Sequence, residues 1–176
     1  MELDAGGSRR LILLRHAKSA WPDGVSDPDR PLAERGIADA TVAGPILAGL
    51  DLTATDAVLC SPALRTRQTW RLVAQALTDP PPIRFEPVIY GAEVDELFGL
   101  IRSLPDDVTT VLVIGHEPTM SQTAAALAGP GSDPDGLARL NTKYPTSGMA
   151  VFTLDQEWSA LTARGATLER FVVPRG

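Results

Sequence analysis

Cysteine, histidine and lysine are all scarce in this 176-residue chain, and each scarcity excludes a class of protein. A single cysteine, Cys60, cannot form an intramolecular disulfide framework and fits a reducing compartment, so a cytoplasmic location is expected. Two histidines and one cysteine do not make a zinc cluster, and no acidic spacing points to magnesium; no metal or other cofactor is expected. Only Lys18 and Lys143 are lysines among 16 basic residues, which face 22 acidic ones for a net charge of −6. That balance excludes the basic surface from which nucleic-acid affinity comes. Long apolar runs are missing as well. The early run Leu11–Leu14 is too short for a signal-peptide core or a membrane span, so no membrane association is expected.

What is present is a chain 44% hydrophobic, punctuated by 15 glycines and 15 prolines into short periodic pieces. A single domain over residues 1–176 is expected, burying about 70% of the surface exposed when unfolded, behind a polar, Gly-rich tail at Met1–Ser8. Leu11–Leu14, Asp56–Cys60, Arg84–Ile89, Thr109–Ile114, Met149–Leu154 and Thr167–Val173 read as strands. Helical spacing covers Leu32–Leu50, Val94–Ser103 and Pro118–Leu127. Ser61-Pro62 reads as an N-cap and first helical proline, with the helix running to about Thr78. Gly129–Gly136 reads as a flexible loop, and the stretch around Trp158 has no assignment. This alternation predicts a three-layer α/β/α sandwich with a mainly parallel central sheet of about six strands. The short link between the last two strands predicts one antiparallel strand.

Chemistry gathers at three strand ends. Arg15 and His16 close the first strand, Ser61 to Thr69 (SPALRTRQT) follows the second, and Gly115-His116-Glu117-Pro118 follows the clearest one. In an open parallel sheet these carboxyl ends share one edge, so segments distant in sequence converge there. Guanidinium forks match phosphate oxygens bidentately and helix N-termini offer unpaired N–H groups, so a dianionic phosphoryl group is the natural guest. Cys60 reads as a buried small hydrophobe rather than a nucleophile.

LLRHAKSAW, SPALRTRQT and VIGHEPTMS together resemble the histidine phosphatase superfamily, in the branch of SixA-type phosphohistidine phosphatases. The resemblance extends from about Arg10 to Pro174 and takes in Asp29–Gly36, Tyr90-Gly91-Ala92 and Tyr144-Pro145-Thr146. It implies a phosphoglycerate mutase-like fold, with His16 as the nucleophile that becomes transiently phosphorylated and Arg15, Arg65 and His116 completing the phosphate pocket. The residue chemistry agrees. His16 must attack as neutral imidazole with its other nitrogen donating to a fixed acceptor, and two arginines with a protonated His116 can stabilise the transferring group. Ser19 and Lys18 are candidate substrate contacts. Glu93 and Glu117 are candidates for a general acid, although neither matches a donor motif, and a basic leaving nitrogen needs no dedicated acid. The substrate implied is phosphohistidine on a protein such as a phosphotransfer domain. The alternatives are a small phosphate ester handled by the same mechanism, or binding of a phospho-ligand without turnover.

Overall fold

The apolar run Leu11–Leu14 is the middle of β1 (Arg9–Arg15) in the computed structural model, which describes residues 7–53 and 56–176. The first six residues of the expected N-terminal tail lie outside the described residues. Leu11 to Leu14 are wholly buried, each side chain worth about 1.5–3 kcal/mol. The strand's period of two divides them between two cores. Leu11 and Leu13 pack with α3 (Val94–Arg102) and α4 (Thr119–Leu127). Ile12 and Leu14 pack with α1 (Glu34–Ala48) and α2 (Leu64–Ala74) on the opposite face. A run apolar at every position is therefore the signature of a strand covered on both sides.

The remaining strands are β2 (Ala57–Cys60), β3 (Ile83–Phe85), β4 (Thr110–Gly115), β5 (Met149–Leu154) and β6 (Thr167–Val172). They form one six-stranded sheet in the order β3-β2-β4-β1-β5-β6. β1, β2, β3 and β4 pair in parallel, whereas β5 runs antiparallel to both β1 and β6. Only β5 is reversed, as the short final link requires. Among the described residues, no helix is long and apolar enough to cross a membrane.

Several local expectations are corrected. The helix after β2 begins at Leu64, not Pro62, because the Ser61 N–H still donates to the Ile114 carbonyl at 3.1 Å and remains part of the sheet edge. The strand expected over Arg84–Ile89 stops at Phe85, and Pro87, which cannot donate to a ladder, opens a 3-10 turn, Pro87–Tyr90. Part of the expected loop at Gly129–Gly136 is helical: α5 (Pro134–Thr142) starts there, with the Asp133 carboxylate accepting from the Gly136 N–H at 2.7 Å. The loop before α5 is tied to the start of β6, by Gly129 N–H to the Ala166 carbonyl and Asp133 N–H to that of Leu168. It therefore lies at the sheet edge opposite the three conspicuous strand ends.

Gly36 and Gly44 weaken the sequence signal for α1, yet they are where that helix approaches its neighbours. A Cβ on Gly36 would lie 2.0 Å from the Lys18 carbonyl oxygen, and one on Gly44 would lie 2.9 Å from the Ala76 Cβ. Replacing Gly36 with alanine must move the loop after β1, with an expected loss of about 1–3 kcal/mol in urea unfolding. Gly99→Ala in α3, where a Cβ meets nothing within 4 Å, is the control and should raise stability, by up to ~1 kcal/mol.

Candidate active site

The parallel register brings the three strand ends to one level. Arg15 stands opposite Gly115 and Cys60 opposite Ile114. Pairing continues one residue further, since the His16 N–H donates to the Gly115 carbonyl at 3.1 Å. The rings of His16 and His116 consequently lie 5.2 Å apart, centroid to centroid. A fourth segment closes in from the end of α5: Ser147 N–H donates to the His16 carbonyl, and Arg15 Nη1 to that of Tyr144 at 2.8 Å. Between them is a cavity of about 170 Å³ lined by Arg15, His16, Arg65 and His116, the four residues expected to converge. Lys18, Ser19 and Glu117 also line it. Glu93 does not. Its carboxylate caps α3 at the helix N-terminus, and the Glu96 carboxylate accepts the Glu93 N–H in return.

The tautomer of His16 follows from its surroundings. Nδ1 lies 2.7 Å from the Ala17 carbonyl oxygen, which can only accept, so Nδ1 carries the hydrogen and Nε2 keeps its lone pair. Burial pushes His16 down to about 3; the Ala17 contact opposes this, while His116, Arg65 and Arg15 add to it. His116 is pushed down to about 4, chiefly by burial and then by Arg65. The proton expected on His116 is thus absent in the protein's own field at neutral pH. Nε2 of His116 is in hydrogen-bond contact with Ser61 Oγ at 2.7 Å, leaving Nδ1 buried without a partner among the described residues. Arg15 Nε and Arg65 Nε are likewise buried and unpartnered. Two guanidinium groups beside two neutral imidazoles give the cavity a positive lining, which suits an anion.

The sequence motifs also hold residues whose role was not legible. Thr69 Oγ1 accepts from the Ala17 N–H at 3.0 Å and donates to the Arg65 carbonyl, so α2 supports the His16 loop directly. Gln68 Oε1 accepts the Leu32 N–H at 2.7 Å. Asp27, in the loop after β1, joins the site's arginines. Its backbone carbonyl and carboxylate accept from Arg65 at 2.8 and 3.1 Å, and the carboxylate also accepts from Arg30 and the Tyr90 hydroxyl. Those bonds, the one from Tyr90 foremost, hold the Asp27 carboxyl well below its ordinary range. Arg30 lines the cavity and donates to Ser19 Oγ at 2.5 Å. Glu117 Oε1 accepts the Ser121 N–H at 2.7 Å. Cys60 is buried, and burial pushes its thiol up to about 12, consistent with packing rather than nucleophilic chemistry.

Comparison with known proteins follows the same lines. Residues 11–97 match the model of the histidine phosphatase superfamily, branch 1. An uncharacterized protein of Mycobacterium tuberculosis is 46% identical over 163 residues, which cover 92% of this chain and all of the relative. The putative phosphohistidine phosphatase SixA from Nakamurella multipartitia shares 35% identity over 97% of this chain and 99% of its own, with a TM-score of 0.83. The protein histidine phosphatase SixA solved with tungstate shares 28% identity over 94% of this chain and 97% of its own, with a TM-score of 0.74. A Plasmodium falciparum phosphoglycerate mutase, 15% identical over 96% of this chain and 93% of its own, has a TM-score of 0.58 and shares the fold.

The two depressed histidines set an acid dependence. Between their folded values of about 3 and 4 and the ordinary value of 6.5, the unfolded chain binds more protons than the folded one. Their contribution is complete above 6.5 and is lost as pH falls through that window. Urea unfolding from about pH 8 to about pH 4 should show this loss in the wild type and a shallower slope in the His16→Asn/His116→Asn double variant. Ser61→Ala removes the partner of His116 Nε2; kcat should fall about ten-fold with KM little changed, in steady-state kinetics on any turned-over phosphate substrate.

Proposed function

The chain belongs to the histidine phosphatase superfamily, and from that premise we propose that it hydrolyses phosphohistidine on a protein through a covalent intermediate on His16. The observation that carries the reading is a neutral His16, its Nε2 lone pair free, in one small cavity with Arg15, Arg65 and His116. Burial supplies the nucleophile in its reactive form without a base to deprotonate it.

In the first step the Nε2 lone pair forms a bond to phosphorus while the bond from phosphorus to the leaving imidazole nitrogen breaks. The electron pair stays on that nitrogen, which takes up a proton from solvent. Water then attacks the phosphorylated His16, releasing inorganic phosphate and returning the neutral imidazole. Arg15 and Arg65 neutralise the equatorial oxygens. The dianionic group brings the negative charge that His116 lacks in the protein's own field, so His116 gains its proton as the phosphoryl group enters and donates from Nδ1. Ser19 and Lys18, both at the cavity, are the further substrate contacts. Metal ions have no part in this scheme. Glu117 at the cavity is what favours the second reading, a small phosphate ester, because a carboxyl group there could protonate an alkoxide. The lone Cys60 fits a cytoplasmic enzyme.

Turnover of a histidine-phosphorylated phosphotransfer domain and of an aryl phosphate separates these readings. Wild type should release phosphate from the domain with chelator present. His16→Ala should lower kcat by at least about 10⁴-fold, and Arg65→Ala by about 10²–10³-fold. Turnover of aryl phosphate alone, abolished by Glu117→Gln, would move the assignment to small esters. Retention of activity in His16→Ala would falsify the mechanism.

A further inference from the structure

Seven large hydrophobic side chains stand exposed among the described residues, and five of them lie on two segments, one of which lines the cavity through Trp21. Trp21 and Val25 are on the loop after β1; Phe85 ends β3, and Val88 and Tyr90 are in the turn that follows it. Trp21 is the extreme case, 74% exposed. The two loops are one continuous surface, because Asp27 bonds both to Arg30, on which Trp21 lies, and to the Tyr90 hydroxyl.

Trp21 is also held in place. The Arg30 guanidinium carbon lies 3.2 Å from its ring centroid, and Arg30 is itself fixed by hydrogen bonds to Ala20, Asp27 and Ser19. A rigid exposed indole loses little conformational freedom on contact and offers the large apolar area typical of interface hot spots. Substrate size fits the same picture. A small phosphate ester is accommodated in a cavity of about 170 Å³, whose lining includes Trp21 but neither Val25, Phe85 nor Val88. Those side chains can contact only a larger partner. The exposed charges beside them are mainly acidic: Asp23 and Asp29 on the first loop, Glu93, Asp95 and Glu96 after the second, none in an ion pair among the described residues.

We propose that Trp21, Val25, Phe85, Val88 and Tyr90 form a docking collar for a histidine-phosphorylated protein whose surface around the phosphohistidine is apolar and basic. This rests on the phosphohistidine reading and adds to it the surface that recognises the carrier. The cationic cavity takes the phosphoryl group, while the collar takes the protein around it.

The test compares a histidine-phosphorylated phosphotransfer domain with free phosphohistidine, using Val88→Ser and Phe85→Ser, both outside the cavity. For each variant kcat/KM should fall about ten-fold on the domain and stay within about two-fold on free phosphohistidine. For wild type, rising ionic strength should depress kcat/KM on the domain more steeply than on the free amino acid. Equal losses on both substrates, or no loss on the domain, overturn the collar alone. A wild type that turns over neither substrate sinks the phosphohistidine reading, and the collar with it. Unchanged thermal unfolding of the variants excludes a folding defect.

Discussion

The site depends on one constraint: parallel register between β1, β4 and β2. Backbone hydrogen bonds carry the pairing one residue beyond the strands, from His16 to Gly115 and from Ser61 to Ile114. Neither histidine can then shift along its strand without breaking the ladder that defines it. The two rings face each other 5.2 Å apart as a consequence of sheet geometry, not of any direct attraction between them. The energy that holds this arrangement comes from the fully apolar strands packed on both faces, which makes slippage costly.

Electrostatics builds on that frame. Two buried histidines beside two arginines would repel as cations, and burial resolves the conflict by keeping both neutral. Neutrality gives His16 a lone pair, and the Ala17 carbonyl decides which nitrogen carries it. With both imidazoles neutral, Arg15 and Arg65 give the cavity its positive charge. Asp27 tempers the excess positive charge near Arg65 from outside, where solvent also reaches it. A cationic cavity within an acidic chain is thus maintained locally by a few bonds.

Much of the framework was legible because it rests on local signals. β4 and β5 are recoverable from β-branched and apolar runs, and α3 from its stripe of Leu97, Leu100 and Ile101. Where the reading failed, distant contacts outweighed local preference. Ser61-Pro62 has the chemistry of a helix start, but Ser61 is retained by β4 and faces His116. Glycines at 36 and 44 look like helix breakers, and only the packed neighbours show why alanine would not fit. Glu93 looked available as an acid, whereas its position one residue before α3 makes it a cap.

Strand–helix alternation determined the class of architecture, and the motifs at the strand ends, with their family resemblance, marked Arg15, His16, Arg65 and His116 as a candidate set. Those properties follow from strand ends, helix starts and side-chain types, which are encoded over short stretches. The tertiary structure decided the charge state of both histidines, the choice of nitrogen on His16, and the use of Asp27, Ser61, Thr69 and Arg30 around them. It also decided that Arg30, on which Trp21 lies, and Tyr90 share the Asp27 carboxylate. Each of these depends on burial and on distances between segments far apart in the chain, and neither quantity exists until the sheet has formed.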